Sequence, residues 1–281
     1  MAESPQRTHH YHASATAISG HLKLPLVREI RPQALSSLPQ EGGYFSERAE
    51  SFSVEGVISF SSAYTQVSGN KSTKDGQGWT TLTTTTIEGL NVLEVVTADR
   101  IVGQIITEHP LKGYVPSVSF LGTRFENLRI AGQEVNLDFD PNILGGKPDR
   151  DGDYTKDRDL IARVGQQYRS VLESGALPQD LRERYNRLSS TLGSAEAVEC
   201  SLVNGASGSF SGLSFGHVIY VPDFGKIILA KVRVNHGDYN TPTKAPRITN
   251  VHLTMMDLVL GCAVDGNVSV VGGGANGTTM P

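Results

Sequence analysis

The feature that most constrains the fold is the segment GWTTLTTTTIEGLNVLEVVTADRIVGQII at 78–106, which consists almost entirely of β-branched residues, glycine and isolated charges. Side chains that branch at Cβ have a stiff χ1 angle and pack well on a pleated surface. From Leu90 onwards, apolar residues occupy both faces of the pattern, as in a strand inside a sandwich or barrel. The segment therefore predicts strands of a sheet scaffold, with threonines on one solvent-exposed face and one buried face.

Strand patterns continue on both sides of this segment. Residues 11–25 alternate small apolar and polar side chains, and residues 53–69 put Ile58, Phe60 and Tyr64 on one predicted face. Residues 125–139 predict a hairpin that turns at Ala131-Gly132. Further strands are predicted after residue 196, whereas the Pro-, Gly- and Ser-containing residues 26–50 predict a surface loop.

The period changes to that of a helix between residues 156 and 192. Apolar residues recur at helical spacing in two stretches, comprising Leu160, Ile161, Val164, Tyr168, Val171 and Leu172, then Leu181, Tyr185, Leu188 and Leu192. A short link between them predicts an antiparallel helical hairpin.

The layout predicts a mainly β fold formed by a single β domain over residues 1–281. We expect an antiparallel β-sandwich or flattened barrel with an α-helical hairpin inserted at about 156–192. Residues 271–281 predict a Gly-rich tail that is either mobile or held by a neighbour, because it has little apolar mass of its own.

Composition excludes several classes of function. Charged residues make up 19% of the chain and its net charge is −4, so nothing favours nucleic acid or an anionic membrane as partner. No window predicts a membrane span, and the first twenty residues lack the apolar core of a secretory signal, which predicts a cytoplasmic protein. The two cysteines, Cys200 and Cys262, are too few for a disulfide framework, and buried free thiols are favoured over one bridge.

Four segments resemble the choice-of-anchor P proteins of bacteria: LNVLEVVTADRIVGQI, GTRFENLRIAGQEVNL, VPDFGKIILAKVRV and ITNVHLTMMDLVLGCAV. Together they cover about half of the chain and consist of structural strands. The resemblance implies a β-rich bacterial protein, uncharacterised in activity, at the cell surface. It implies no catalytic residues, and the helices at 156–192 and the missing secretion signal depart from the pattern.

One motif suggests a serine hydrolase. GLSFG at 212–216 matches G-x-S-x-G with Ser214 as nucleophile, and Asp223 and His236 follow in the order Ser, Asp, His. The motif needs a turn from strand to helix, yet the next segment, HVIYVP, predicts a strand. A glycine-rich β bend is therefore the favoured interpretation.

Two motifs suggest metals. Asp149, Asp151 and Asp153 predict at most an irregular calcium site, because the sixth and twelfth positions of an EF-hand loop hold Tyr154 and Leu160. The favoured alternative is an acidic loop near the start of the following helix. His9, His10 and His12 could bind a transition metal, but no acid or cysteine nearby completes the site.

These observations favour a non-catalytic structural protein that associates with itself, as a homo-oligomer or a surface assembly. The alternative from another class is a module that binds a carbohydrate or small apolar ligand between the sheet and the helices, with Trp79, Tyr64 or Tyr114 as aromatic platforms. A hydrolase acting through Ser214 is the third hypothesis, and no cofactor is expected beyond the calcium considered above.

Overall fold

The computed structural model describes residues 7–24, 27–73, 77–149, 152–239, 246–261 and 264–280. Fourteen strands precede the helical region in the described residues. They are β1 (Thr8–Leu24), β2 (Arg28–Gln33), β3 (Ser36–Leu38), β4 (Gly43–Ala49), β5 (Phe52–Val54), β6 (Ile58–Phe60), β7 (Ser62–Lys71), β8 (Gln77–Val92), β9 (Val96–Pro110), β10 (Ser117–Ser119), β11 (Arg124–Glu126), β12 (Arg129–Ile130), β13 (Gln133–Glu134) and β14 (Asn136–Phe139).

A 3₁₀ turn at Tyr154–Lys156 leads into the helices α1 (Arg158–Leu172) and α2 (Gln179–Thr191). The remaining described strands are β15 (Ala197–Ser201), β16 (Val203–Ser207), β17 (Leu213–Phe215), β18 (Val218–Val221), β19 (Gly225–Tyr239), β20 (Pro246–Leu260) and β21 (Asp265–Met280).

The described strands form two large antiparallel sheets. Sheet A has nine strands in the order β17-β18-β19-β20-β21-β1-β2, with β15 paired to β19 and β3 paired to β1. Sheet B has ten strands, with the path β13-β12-β9-β8-β6-β5; β10 and β11 also pair with β9, β7 pairs with β8, and β4 pairs with β7. A separate ribbon pairs β14 with β16.

The two sheets pack face to face, with β1, β20 and β21 of sheet A against β7, β8 and β9 of sheet B. Strands of 15 to 17 residues dominate this body, against about 5–6 residues in an ordinary strand. At about 3.3 Å per residue, such a strand is about 50 Å long. The opposite ends of each strand therefore lie in different environments.

The threonine run of β8 lies in the seam between the sheets. Thr81, Thr83 and Thr85 are buried, while the intervening side chains are half-buried on the other face. The Thr83 and Thr85 hydroxyls donate to the carbonyls of Gly274 and Gly272 in β21, at 3.3 and 3.1 Å. These bonds form because the glycines of β21 let the two sheets approach closely.

The predicted helical hairpin packs on the strands that follow it. Asp157 caps α1 by accepting a hydrogen bond from the Leu160 N–H at 2.8 Å. Buried residues of the predicted stripe, including Val164, Tyr168 and Val171, anchor α1 to the core. In α2, the Tyr185 hydroxyl is hydrogen-bonded to His217 Nε2 at 2.7 Å. The prediction of a mainly antiparallel β-sandwich with an inserted helical hairpin is thus confirmed.

Residues 271–280 are held by their neighbours, which is one of the two alternatives predicted for them, because they belong to β21, which pairs with β20 on one side and β1 on the other. The backbone ladder holds this strand, so it needs little apolar mass. Two other local expectations need correction. Residues 28–49 contain three strands instead of a loop. Ile58 and Phe60 are buried but Tyr64 is exposed, because the chain bends at Ser61 between β6 and β7.

Two local predictions are confirmed, the turn of the hairpin and the buried free thiol of one cysteine. Ala131 and Gly132 both have positive φ, at 48° and 76°, which is the geometry of a type I′ turn. Cys200 is a buried free thiol whose pKa is raised by burial, while Cys262 lies outside the described residues. In the described part of the chain, no helix has the length and apolar character that a membrane crossing requires.

Candidate functional site

A cleft of about 1100 Å³ opens at one end of the sandwich. Its walls come from the start of β1, β4 and β8, the end of β7 and the loop that follows β9. We call it the end cleft. The side chains that matter most for its chemistry are Arg7, Tyr11, Lys71, Trp79, Lys112 and Tyr114.

The rings of His9, Tyr11 and Trp79 form the floor of the end cleft, and the buried ring of His109 packs against His9. The imidazole of His9 is stacked on the Trp79 indole, with centroids 5.0 Å apart and planes 11° apart. Tyr11 meets His9 edge-on at 4.7 Å, and the His109 ring lies 4.5 Å from it on another side. Trp79 and Tyr11 also belong to a small hydrophobic cluster, with Leu38 and alanines of β1, that is separate from the main core. The floor is therefore a rigid aromatic surface with its own packing.

Glycines make room for these rings. A Cβ atom on Gly69 would lie 2.5 Å from Tyr11 Cδ1, and one on Gly42 would lie 2.8 Å from Tyr11 Cε2. A Cβ atom on Gly277 would lie 2.5 Å from His9 Cε1 and 2.6 Å from His109 Cε1. Each distance is far inside van der Waals contact, so the rings rest directly on backbone. The Gly-rich end of the chain thus helps to build the floor.

His9 and His109 are both neutral at pH 7. Burial, followed by the nearby His10 and His12, lowers the pKa of His9 to about 4. Burial, followed by the repulsion that His109 and His9 would exert on each other when protonated, also holds the pKa of His109 well below its ordinary value. A neutral imidazole can stack on an indole without the cost of a desolvated charge. These buried rings therefore pack against one another without a charge at neutral pH.

Arg7 is held rigidly at the wall of the end cleft. Its Nη1 donates to the carbonyls of Leu111 and Gly113, at 3.0 and 2.8 Å. Its guanidinium carbon lies 4.7 Å from the centroid of the Tyr114 ring. These contacts join the residue before β1 to the loop after β9, and they fix both the cation and Tyr114.

The predicted aromatic platforms do not lie together. Trp79 and Tyr114 both line the end cleft, but Tyr64 lies on the outer face of sheet B, where its hydroxyl is 2.9 Å from that of Tyr44. The expected position between the sheet and the helices is also wrong for Trp79 and Tyr114. Among the described residues, none from α1 or α2 lines the end cleft.

Tyr64 lines a smaller groove of about 560 Å³ across sheet B. The three arginines that line it, Arg48, Arg100 and Arg124, all form ion pairs, with Glu50, with Glu88 and Glu126, and with Glu126, respectively. Paired surface charges of this kind are what a solvated sheet face carries. The end cleft is the stronger candidate for a binding site.

The proposed hydrolase residues lack the geometry of a catalytic triad. Ser214 lies in β17, which turns at Gly216 into another strand, and its hydroxyl donates to the Gly216 carbonyl at 3.4 Å. Asp223 lies in the turn before β19. The Nε2 of His236 accepts a hydrogen bond from the Tyr154 N–H at 3.0 Å, so it is not available as a base for Ser214.

The acidic loop anchors the helical region. The Asp153 carboxylate accepts hydrogen bonds from Thr155 and from the Tyr239 hydroxyl, and lies 3.3 Å from His236 Nε2. Burial raises the pKa of Asp153, but the bonds from Thr155 and the proximity of His236 outweigh it and lower the pKa. The carbonyl of Asp149 accepts from Gly152.

Asp151 lies outside the described residues. Within them, no three His, Cys, Asp or Glu side chains are grouped to hold a metal ion, and His9 faces the interior while His10 and His12 are half-buried on the other face. The calcium site stays a prediction.

Sequence reasoning missed Arg7, Tyr11 and the His9–His109 contact. The signal for Tyr11 and His9 was the alternation of β1, which puts them on the same inner face as Ala13 and Ala15. Arg7 gave no such signal, because its partners lie more than 100 residues away in the chain.

The chain belongs to a family described as a domain of unknown function (DUF8256), whose model matches residues 9–235. The match ends within β19, so β20 and β21, which complete sheet A, lie beyond it. No curated protein matches the chain. The resemblance to choice-of-anchor P proteins stays a prediction.

Proposed function

We propose that this protein is a binding module that holds a small ring-shaped ligand, a carbohydrate or a compact apolar molecule, in the end cleft. The observation that carries the proposal is the convergence of Trp79 and Tyr114, from strands and loops far apart in sequence, beside a fixed Arg7. Sites for small ligands combine aromatic walls with a few oriented polar groups in a preformed concavity.

The rigidity of the site supports the proposal. The floor rings are packed on one another and on glycine backbone, and Arg7 is fixed by two carbonyls. A preformed site saves a ligand the free-energy cost of ordering side chains on binding. Trp79 is only 9% exposed, so a ligand would contact a small part of its ring and pack mainly against Tyr114.

Fluorescence tests this proposal directly, because Trp79 is the one tryptophan of the chain. Titration with a panel of mono- and disaccharides and small aromatic compounds should change its emission in a saturable way for at least one compound. Tyr114→Ala should weaken that ligand about 2- to 10-fold, the range expected for loss of one ring contact of about 0.5–1.5 kcal/mol.

Tyr64→Ala is the matched control, since Tyr64 is an exposed tyrosine outside the end cleft. It should leave the affinity unchanged. A panel without any binder, or an equal loss in Tyr64→Ala and Tyr114→Ala, would contradict the proposed site.

A second proposal, self-association, is supported by strand β4. This strand pairs with β7 along one edge, and within the described residues no strand pairs its other edge. Its side chains are exposed on both faces, including Tyr44 and Phe45. An open edge with exposed aromatic residues is a template for pairing with another chain.

Sedimentation velocity over a range of concentrations tests the second proposal. We expect concentration-dependent oligomers that Phe45→Lys weakens, because a charge on the edge opposes strand addition. Leu121→Lys is the control, since Leu121 is exposed in a turn. A single monomeric species at all concentrations would exclude assembly through β4.

A further inference from the structure

We propose that the end cleft selects ligands in which a carboxylate is attached to the ring, such as a uronate or an aromatic acid. This inference rests on the proposed binding function and adds the charge of the ligand. It is carried by the orientation of Arg7 and by the sign of the charges around it.

Arg7 has a bidentate edge left for a carboxylate. Both described hydrogen bonds of its guanidinium come from Nη1, which leaves the Nε–H and the Nη2 donors. Arginine binds carboxylates through two parallel N–H···O bonds, and the side formed by Nε and Nη2 offers such a pair. Because Tyr114 and two carbonyls hold the guanidinium, this edge is oriented before a ligand arrives.

The charges around the end cleft favour an anion. Arg7, Lys71 and Lys112 line it together with one carboxylate, that of Glu41. Within the described residues, none of the three cations forms a salt bridge. The chain as a whole has a net charge of −4, whereas three cations and one carboxylate line the end cleft. Such local fields attract anionic ligands and repel cationic ones.

The aromatic walls select the rest of the ligand. The guanidinium carbon of Arg7 lies over the Tyr114 ring, 4.7 Å from its centroid, and Trp79 lines the same cleft. When a carboxylate is bound to Arg7, the ring attached to it would therefore lie against an apolar surface. A free inorganic anion would use only the Arg7 edge and leave this surface without a partner.

The test compares matched ligands by calorimetry at low and moderate salt. Glucuronate is paired with its methyl ester and with glucose, and benzoate with benzamide, so each pair differs in charge at constant ring. We expect one acid to bind at least 10-fold more tightly than its neutral partner, with an affinity that falls as salt is raised. Which acid binds identifies the ring as a sugar or an aromatic.

Variants of Arg7 test the bidentate contact. Arg7→Lys keeps the charge but loses the planar guanidinium, and it should weaken the acid about 10-fold more than it weakens the neutral partner. Arg31→Gln is the control, since Arg31 is an exposed arginine in β2, at the opposite end of β1 from the end cleft. An unchanged far-ultraviolet spectrum and Trp79 emission in Arg7→Lys would establish that the fold is retained.

The outcomes separate the two proposals. If neutral ligands bind as well as acids, or if Arg7→Lys binds the acid as wild type does, the carboxylate inference is wrong and the binding function stands. If glucose 6-phosphate binds more tightly than glucuronate, the carboxylate is the wrong anion. If none of these ligands binds, the inference fails, and the panel described above decides the binding function separately.

Discussion

Gly277→Ala should both destabilise the protein and disturb the end cleft. The added methyl group would lie 2.5 Å from His9 Cε1 and 2.6 Å from both His9 Nε2 and His109 Cε1. These ring atoms would have to retreat by about 1 Å to reach ordinary contact distances of about 3.5 Å. His9 cannot retreat freely, because Trp79 is stacked on it and Tyr11 closes another side.

Overpacking of a rigid site costs about 1–3 kcal/mol of the free energy of unfolding. In a protein of this size, each kcal/mol lowers Tm by about 2–4 °C. Urea denaturation and thermal unfolding measure the loss, and the emission of Trp79 reports the shift of the His9 ring in the folded state. We expect a lower midpoint and a changed emission spectrum.

Gly272→Ala is the control in the same strand. A Cβ atom on Gly272 would meet nothing closer than the Thr16 carbonyl oxygen at 3.8 Å. This variant should be neutral or more stable by about 0.4–1 kcal/mol, because alanine restricts the unfolded chain. If Gly277→Ala is as stable as Gly272→Ala, the rings do not rest on Gly277 and the description of the floor is wrong.

Further predictions concern the seam and pH. Thr81→Val should raise the free energy of unfolding by about 1 kcal/mol, because the buried Thr81 hydroxyl has no hydrogen-bond partner among the described residues. Thr85→Val should lower the free energy of unfolding by about 1 kcal/mol, because it removes the hydrogen bond to the Gly272 carbonyl. Stability should fall as pH is lowered from about 6.5 towards 4. Burial lowers the pKa values of His9 and His217 to about 4, so both stay neutral in the folded protein over this range. The same histidines take up protons in the unfolded chain, which favours unfolding. Urea midpoints at pH 7 and 4.5 measure this, and equal midpoints would argue against buried neutral histidines.

The periodicity of the sequence predicted those helices and strands whose own side chains alternate between buried and exposed positions. The stripe of Leu160, Val164, Tyr168 and Val171 is buried in α1. The threonines of β8 alternate between the seam and the outer face. In both cases the environment of each residue is set by its own element, so the local pattern carries the information.

The strands that the sequence pattern did not predict are stabilised mainly by pairing with neighbouring strands. Strand β4 is exposed on both faces and exists because β7 pairs with it, so it shows no apolar alternation. The glycines of β21 have no side chains to form a pattern, and two long ladders fix that strand. The candidate site depends on the same long-range order. Trp79 and Tyr114 could be proposed as platforms from residue type alone, but their proximity to Arg7 follows from the pairing of the sheets.

The most direct test of the end cleft is the indole N–H resonance of Trp79 in ¹⁵N-labelled protein, because one tryptophan gives one such signal. The account predicts that a ligand found by calorimetry shifts this resonance with the same affinity, and that Tyr114→Ala weakens both effects together. A ligand that binds and leaves the Trp79 resonance unmoved would show that the binding site lies elsewhere on the protein.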